Sequence, residues 1–196
     1  MKGELAEVVG ATCVGDGATS TGAFHEGLNL AAVEKLPIVV LVADNQFAYS
    51  TPRERQFACE NLVDRARGYG VTGREVDATN LLECLAVVHE AVKAARNFEG
   101  PQMVVGKLLR LCGHGEHDDA SYVAPELKDS NLGRDCLEIG IQQVVDEGLA
   151  TSDEVDLWKS EAAEEVQEAV ANAQTDPAPD PYQDDWQAFS SKGINS

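Results

Sequence analysis

The sequence predicts an α/β fold: a doubly wound, mostly parallel sheet with helices added at its C-terminal end. Three observations predict it. Ala6–Val14 and Ile38–Ala43 are short, continuously apolar runs, the pattern of strands buried on both faces. The segment between them has helical periodicity, which makes a βαβ unit. The alternation of strand and helix then continues to about residue 109.

Each element has its own signal. After the first strand, residues 15–22 are a turn rich in Gly, Ser and Thr, and Ser20 or Thr21 is placed to cap the next helix. Phe24, Leu28, Ala31, Ala32 and Leu36 give that helix its apolar stripe, and Pro37 stops it. Residues 45–60 read as a polar loop. Residues 61–68 read as a helix ended by Gly68 and Gly70, and 73–76 as a short strand. Residues 81–98 are an amphipathic helix with Leu82, Leu85, Val88, Val92 and Ala95 on one face. Gly100-Pro101 ends it, and 102–109 is the next strand. A polar loop, RLCGHGEHDDASYVAP, fills 110–125. Helices follow at 132–147 and 152–173, the second opened by a Thr151/Glu154 capping box. This gives an α/β domain over 1–130, C-terminal helices of the same unit over 131–175, and an extended or disordered tail over 176–196.

The composition excludes several classes. The chain has 196 residues and a net charge of −19, which argues against nucleic acid and anionic membranes as partners. Between Asp146 and Asp185, Lys159 is the only basic residue. No apolar run is long enough to span a bilayer. Residues 1–14 lack a secretory cleavage signal, so a cytoplasmic address is expected. Cys13, Cys59, Cys84, Cys112 and Cys136 have no metal-site or disulfide spacing, and they are expected to be buried or inert.

The chemistry concentrates at Gly15-Asp16-Gly17, with Asn45 29 positions beyond Asp16. Both lie where predicted parallel strands end, the edge at which open α/β sheets bind ligands. Gly15 and Gly17 permit a tight turn and close approach of a ligand. The following helix points its free N–H groups at the site, which favours an anion such as a phosphate. One carboxylate and one carboxamide suit a hard cation such as Mg²⁺ or Ca²⁺ rather than zinc. No Gly-Lys-Ser/Thr follows, so this is not a Walker loop.

The stretch GDGATSTGAFHEGLNLAAVEKLPIVVLVADNQFAYSTP, Gly15–Pro52, resembles the thiamine diphosphate motif of 2-oxo acid dehydrogenases. More narrowly it is similar to the alpha subunit of their decarboxylating component, of the pyruvate, branched-chain or acetoin type. The resemblance continues through Asp64–Asn80, Gly100–Arg110 and the acidic helices. It implies a thiamine diphosphate-binding fold with Asp16, Asn45 and the Phe47 carbonyl as Mg²⁺ ligands. It also implies Gly15, Gly17 and Ala18 along the diphosphate, and Arg110 and His114 as the arginine and histidine of the active-site loop. His114 is then the catalytic residue, contacting the diphosphate or assisting acyl transfer, while Asp118 and Asp119 order the loop.

The implied activity is oxidative decarboxylation of a small 2-oxo acid with acyl transfer to a lipoyl group. The implied partners are a beta subunit, which supplies the glutamate that activates the cofactor, and a lipoyl-bearing acyltransferase, in a heterotetrameric assembly. Family members carry a substantial segment before the first strand, so an N-terminally truncated member is expected, active only with a partner. Two alternatives stand beside this reading: half of a transketolase-like thiamine diphosphate enzyme, or a non-catalytic cofactor-binding or assembly subunit.

Overall fold

A computed structural model describes residues 8–178, 180 and 182. The chain divides between Leu149 and Ala150 into two compact units. The first holds a four-stranded sheet of β1 (Gly10–Gly15), β2 (Ile38–Asp44), β6 (Gln102–Lys107) and β5 (Thr72–Asp77), in that order and parallel throughout. A two-stranded hairpin, β3 (Phe47–Ala48) with β4 (Thr51–Pro52), sits within the segment read as plain loop.

Helices α1 (Gly22–Val33) and α2 (Asp64–Gly68) cover one face of the sheet, and α3 (Leu81–Arg96) covers the other. The strands leading through α1 and α2 advance in one direction, and the connection through α3 turns back. Crossovers of one hand require this switch of face. Period-two alternation does the sorting. Val40, Val42, Met103 and Val105 meet Leu28, Leu62 and Ala66 on one face. Val39, Val104 and Val76 meet Ala91 and Ala95 on the other.

The capping expectations resolve in detail. The Thr21 hydroxyl accepts from the Phe24 N–H and caps α1. Asn80, not among the caps expected from the sequence, caps α3 by accepting from the Glu83 N–H. A reciprocal Thr151/Glu154 capping box opens the 24-residue helix α6 (Ser152–Thr175) of the second unit.

Several expectations are corrected. The first strand is exposed, not buried, over residues 10–13, because β1 is an edge strand with β2 as its only partner among the described residues. The start of the expected strand, 6–7, lies outside the described residues. Helix α3 turns Ala91, Ala94 and Ala95 inward, while Leu81, Leu82 and Leu85 are exposed. Small side chains let the helix axis approach the sheet closely, and the leucines project past that contact. Strand β6 ends at Lys107, where Leu108 and Leu109 leave the ladder to bond Asp44 and Leu132. Pro125 opens a short helix α4 (Pro125–Lys128) at the end of the expected loop. Helix α5 (Cys136–Asp146) starts later than expected, because the Asp135 carboxylate caps it. Cys13, Cys112 and Cys136 are exposed, not buried. Most of the expected tail, 183–196 with 179 and 181, lies outside the described residues.

Met103 is fully buried in the middle of the sheet. Met103→Ala is expected to lower unfolding free energy by about 2–5 kcal/mol in urea denaturation. Leu85→Ala, on the exposed face of α3, is expected to change it by about 0.5 kcal/mol or less.

Candidate functional site

The parallel register brings the predicted residues together. Gly15 pairs with Ala43, so the two strands end side by side. The Asp16 N–H donates to the Ala43 carbonyl, the Leu108 N–H to that of Asp44, and the Arg110 N–H to that of Asn45. The turns after β1, β2 and β6 are thereby tied edge to edge. They form a cleft of about 270 Å³ lined by Gly15, Asp16, Gly17, Ala18, Asn45, Phe47, Arg110 and His114. Ala48 and Tyr49 complete it.

Asp16 is almost wholly buried. Its Oδ1 accepts from the Gly17 N–H at 2.7 Å, and its Oδ2 lies 3.5 Å from the Gln56 amide nitrogen. Burial pushes its carboxyl above the ordinary carboxylate range, against the pull of the Gly17 N–H. A bound cation would offset that burial directly. Gly17 sits against the hairpin so closely that a Cβ there would stand 2.5 Å from Ala48 Cβ. Gly15 has open space where a Cβ would project. The Asn45 Oδ1 accepts only a long 3.3 Å bond, from the Phe47 N–H. Among the described residues no three His, Cys, Asp or Glu side chains group together as a metal site. The donors available here are a carboxylate, a carboxamide and main-chain carbonyls, all oxygen. That set fits a hard cation bound together with phosphate oxygens.

Behind the cleft, Asp44 is completely buried, and its carboxyl is raised by burial and by the neighbouring Asp16 although Arg53 opposes the shift. Arg53 Nε lies 3.6 Å from Asp44 Oδ2, and the Gln46 amide donates to the Asp44 carbonyl. The pair anchors the hairpin that presents Phe47.

The 110–122 loop is organised by Asp118. Its carboxylate accepts from the backbone N–H of His114 (2.6 Å) and of Ala120 (3.0 Å) and from the Tyr122 hydroxyl (2.7 Å). The Arg110 guanidinium lies 3.8 Å from it, bonds the Tyr122 hydroxyl and donates to the Tyr49 carbonyl. Arg110 therefore both lines the cleft and ties the loop to the hairpin. Asp119 accepts from the Ser121 N–H in a local turn. The exposed His114 ring stacks edge-on against Tyr49 with centroids 5.2 Å apart, and His117 Nε2 lies 3.4 Å from the Tyr49 hydroxyl. His25 is not in the cleft; it hydrogen-bonds the Tyr69 hydroxyl beside α1.

Sequence reasoning missed Gln56, Tyr49 and Asp44. Tyr49 carries a signal only in three dimensions: it has φ +53°, left-handed backbone at the tip of a two-residue hairpin.

Residues 1–182 match the dehydrogenase E1 component family. The chain belongs to that family. It is 38% identical over 174 residues to the alpha subunit of the acetoin:2,6-dichlorophenolindophenol oxidoreductase of Cupriavidus necator, covering 88% of this chain and 52% of that protein. It is 36% identical over 176 residues to the 2-oxoisovalerate dehydrogenase alpha subunit of Bacillus subtilis, covering 89% and 52%. Over a shorter 106 residues it is 44% identical to the 3-methyl-2-oxobutanoate dehydrogenase alpha subunit of Mycobacterium tuberculosis, covering 54% and 29%. The chain thus spans about half the length of the first two relatives. Among the described residues no helix is long and apolar enough to cross a membrane.

The Asp118 carboxyl is held down to about 2 from an ordinary 3.8, chiefly by the His114 N–H, then by the Tyr122 hydroxyl. A carboxyl lowered in the folded state stabilises the loop above its ordinary value, and that contribution is lost as pH falls toward about 2. The His114 and Ala120 amide resonances are expected to hold steady down to about pH 4 and to shift together with a midpoint near the lowered value. Asp118→Asn should remove this transition and loosen the loop.

Proposed function

We propose that this chain is the alpha component of a thiamine diphosphate- and Mg²⁺-dependent 2-oxo acid dehydrogenase of the cytoplasm. The observation that carries the reading is the convergence of Gly15–Ala18, Asn45, Phe47, Arg110 and His114 on one cleft at the carboxyl edge of three parallel strands. The kinship with dehydrogenase alpha subunits supports the same reading.

Asp16, Asn45 and the Phe47 carbonyl would hold Mg²⁺. The open face of Gly15 and the Ala18 N–H would take the diphosphate oxygens, with Gly17, whose own N–H is held by Asp16, lining them. When bound, thiamine diphosphate supplies the electron sink for loss of carbon dioxide from the 2-oxo acid. The chain's own residues position and shield. Buried Asp16 gives a full carboxylate only to a cation that replaces its lost solvation. Arg110 places positive charge on the cleft wall while its remaining N–H groups hold the loop closed over the hairpin. His114 stands at the exposed rim, where it can hold or pass a proton as the acyl group leaves for a lipoyl disulfide of a partner protein. A beta subunit would supply the acid that activates the cofactor, and a lipoyl-bearing acyltransferase would receive the acyl group.

The test is calorimetry on the chain assembled with its beta subunit. Asp16→Ala is expected to abolish Mg²⁺-dependent binding of thiamine diphosphate, and unchanged affinity would overturn the metal assignment. Phe47→Ala should retain binding, because the proposed ligand is the main-chain oxygen. His114→Ala should bind cofactor and lose turnover by about 10²–10⁴-fold, measured as carbon dioxide release.

A further inference from the structure

Helix α6 is not used by this chemistry, yet it carries an organised surface. At 24 residues it is about 36 Å long. A period of 3.6 residues aligns Trp158, Ala162, Val166 and Val170 along one side, below the buried Val155. Trp158 is 51% exposed, Val166 58% and Val170 45%, so this stripe is open to solvent. The same periodicity places Glu161, Glu165 and Glu168 as a ledge along one flank of the stripe, next to Trp158. The helix bears seven acidic residues against one basic residue, Lys159.

An apolar stripe with a charged flank is the pattern of a helix that pairs with another surface, the stripe giving affinity and the flank choosing the partner. The charge decides the occupant. A second copy of α6 packed antiparallel would bring two glutamate ledges together, a like-charge arrangement that opposes pairing. An apolar surface without cations would leave the ledge desolvated and unpaired. We propose that α6 is a docking helix for a partner protein that presents an apolar helical face rimmed on one side by lysine or arginine. Trp158, at the N-terminal end of the stripe, is its aromatic anchor.

This inference is independent of the thiamine diphosphate reading, and its test does not involve the cleft. The probe is a synthetic amphipathic helical peptide with a Leu/Val stripe and lysines on one flank, beside a twin with glutamates in their place. In the full chain carrying Trp186→Phe, Trp158 is the sole tryptophan. Its emission is expected to start solvent-like and to shift to the blue, saturably, with the lysine peptide and not with the glutamate twin. Raising salt from about 0.05 to about 0.5 M should weaken binding several-fold. Val166→Glu should weaken it about tenfold or more. Leu157→Glu, on the opposite face, should leave it unchanged. Four results would each overturn the proposal: equal binding of both peptides; binding unmoved by Val166→Glu; emission already blue in the free chain, meaning that the stripe is covered from within; or sedimentation showing concentration-dependent self-association lost in Val166→Glu, meaning that a second copy covers it.

Discussion

The parallel register of β1 against β2 is the constraint on which the rest depends. With Gly15 opposite Ala43, the turn carrying Asp16 and the turn carrying Asn45 start at the same level. The bond from the Asp16 N–H to the Ala43 carbonyl fixes that level. A slip of one residue would reverse the facing of every side chain in β1 and carry Asp16 out of its buried position. The pairing of β2 with β6 extends the same alignment to Arg110. Three segments far apart in sequence thus open into one cleft without any of them being long.

Two carboxylates then do different work because their surroundings differ. Asp16 is buried and poorly compensated, which raises its carboxyl. Asp118 accepts from two backbone N–H groups and the Tyr122 hydroxyl, which lowers its carboxyl and fixes the loop. Arg110 links the two regions, since it faces the cleft and bonds both the loop and the hairpin. The close fit of Gly17 against Ala48 shows how little room the cleft leaves on its hairpin side. The glycine is there because the hairpin carrying Phe47 must approach the turn.

Much of this was legible in the sequence. Continuous apolar runs announced β2 and β6, capping residues located α1 and α6, and the spacing of Gly15, Asp16, Gly17 and Asn45 marked the carboxyl edge. What misled was solvent exposure. An apolar run gives the same signal at the centre of a sheet and at its edge, so β1 read as buried. Leucines outweigh alanines in an apolar stripe, so Leu82 and Leu85 read as inward; of that stripe Val92 and Ala95 do meet the sheet, and Ala91 and Ala94 make the rest of the close contact. Gln56, Asp44 and Arg53 left no local trace, because their roles arise from contacts made after the chain has folded back on itself.

The sequence by itself determined the order of strands and helices, the family and the residue types of the cleft. Local propensity, periodicity and a long contiguous motif carry that information over short stretches of chain. Only the tertiary structure decided which residues share the cleft, which carboxylate is raised and which lowered, and which apolar side chains remain in water. Those properties depend on register, on burial and on neighbours tens of residues away, and no short window of sequence contains them.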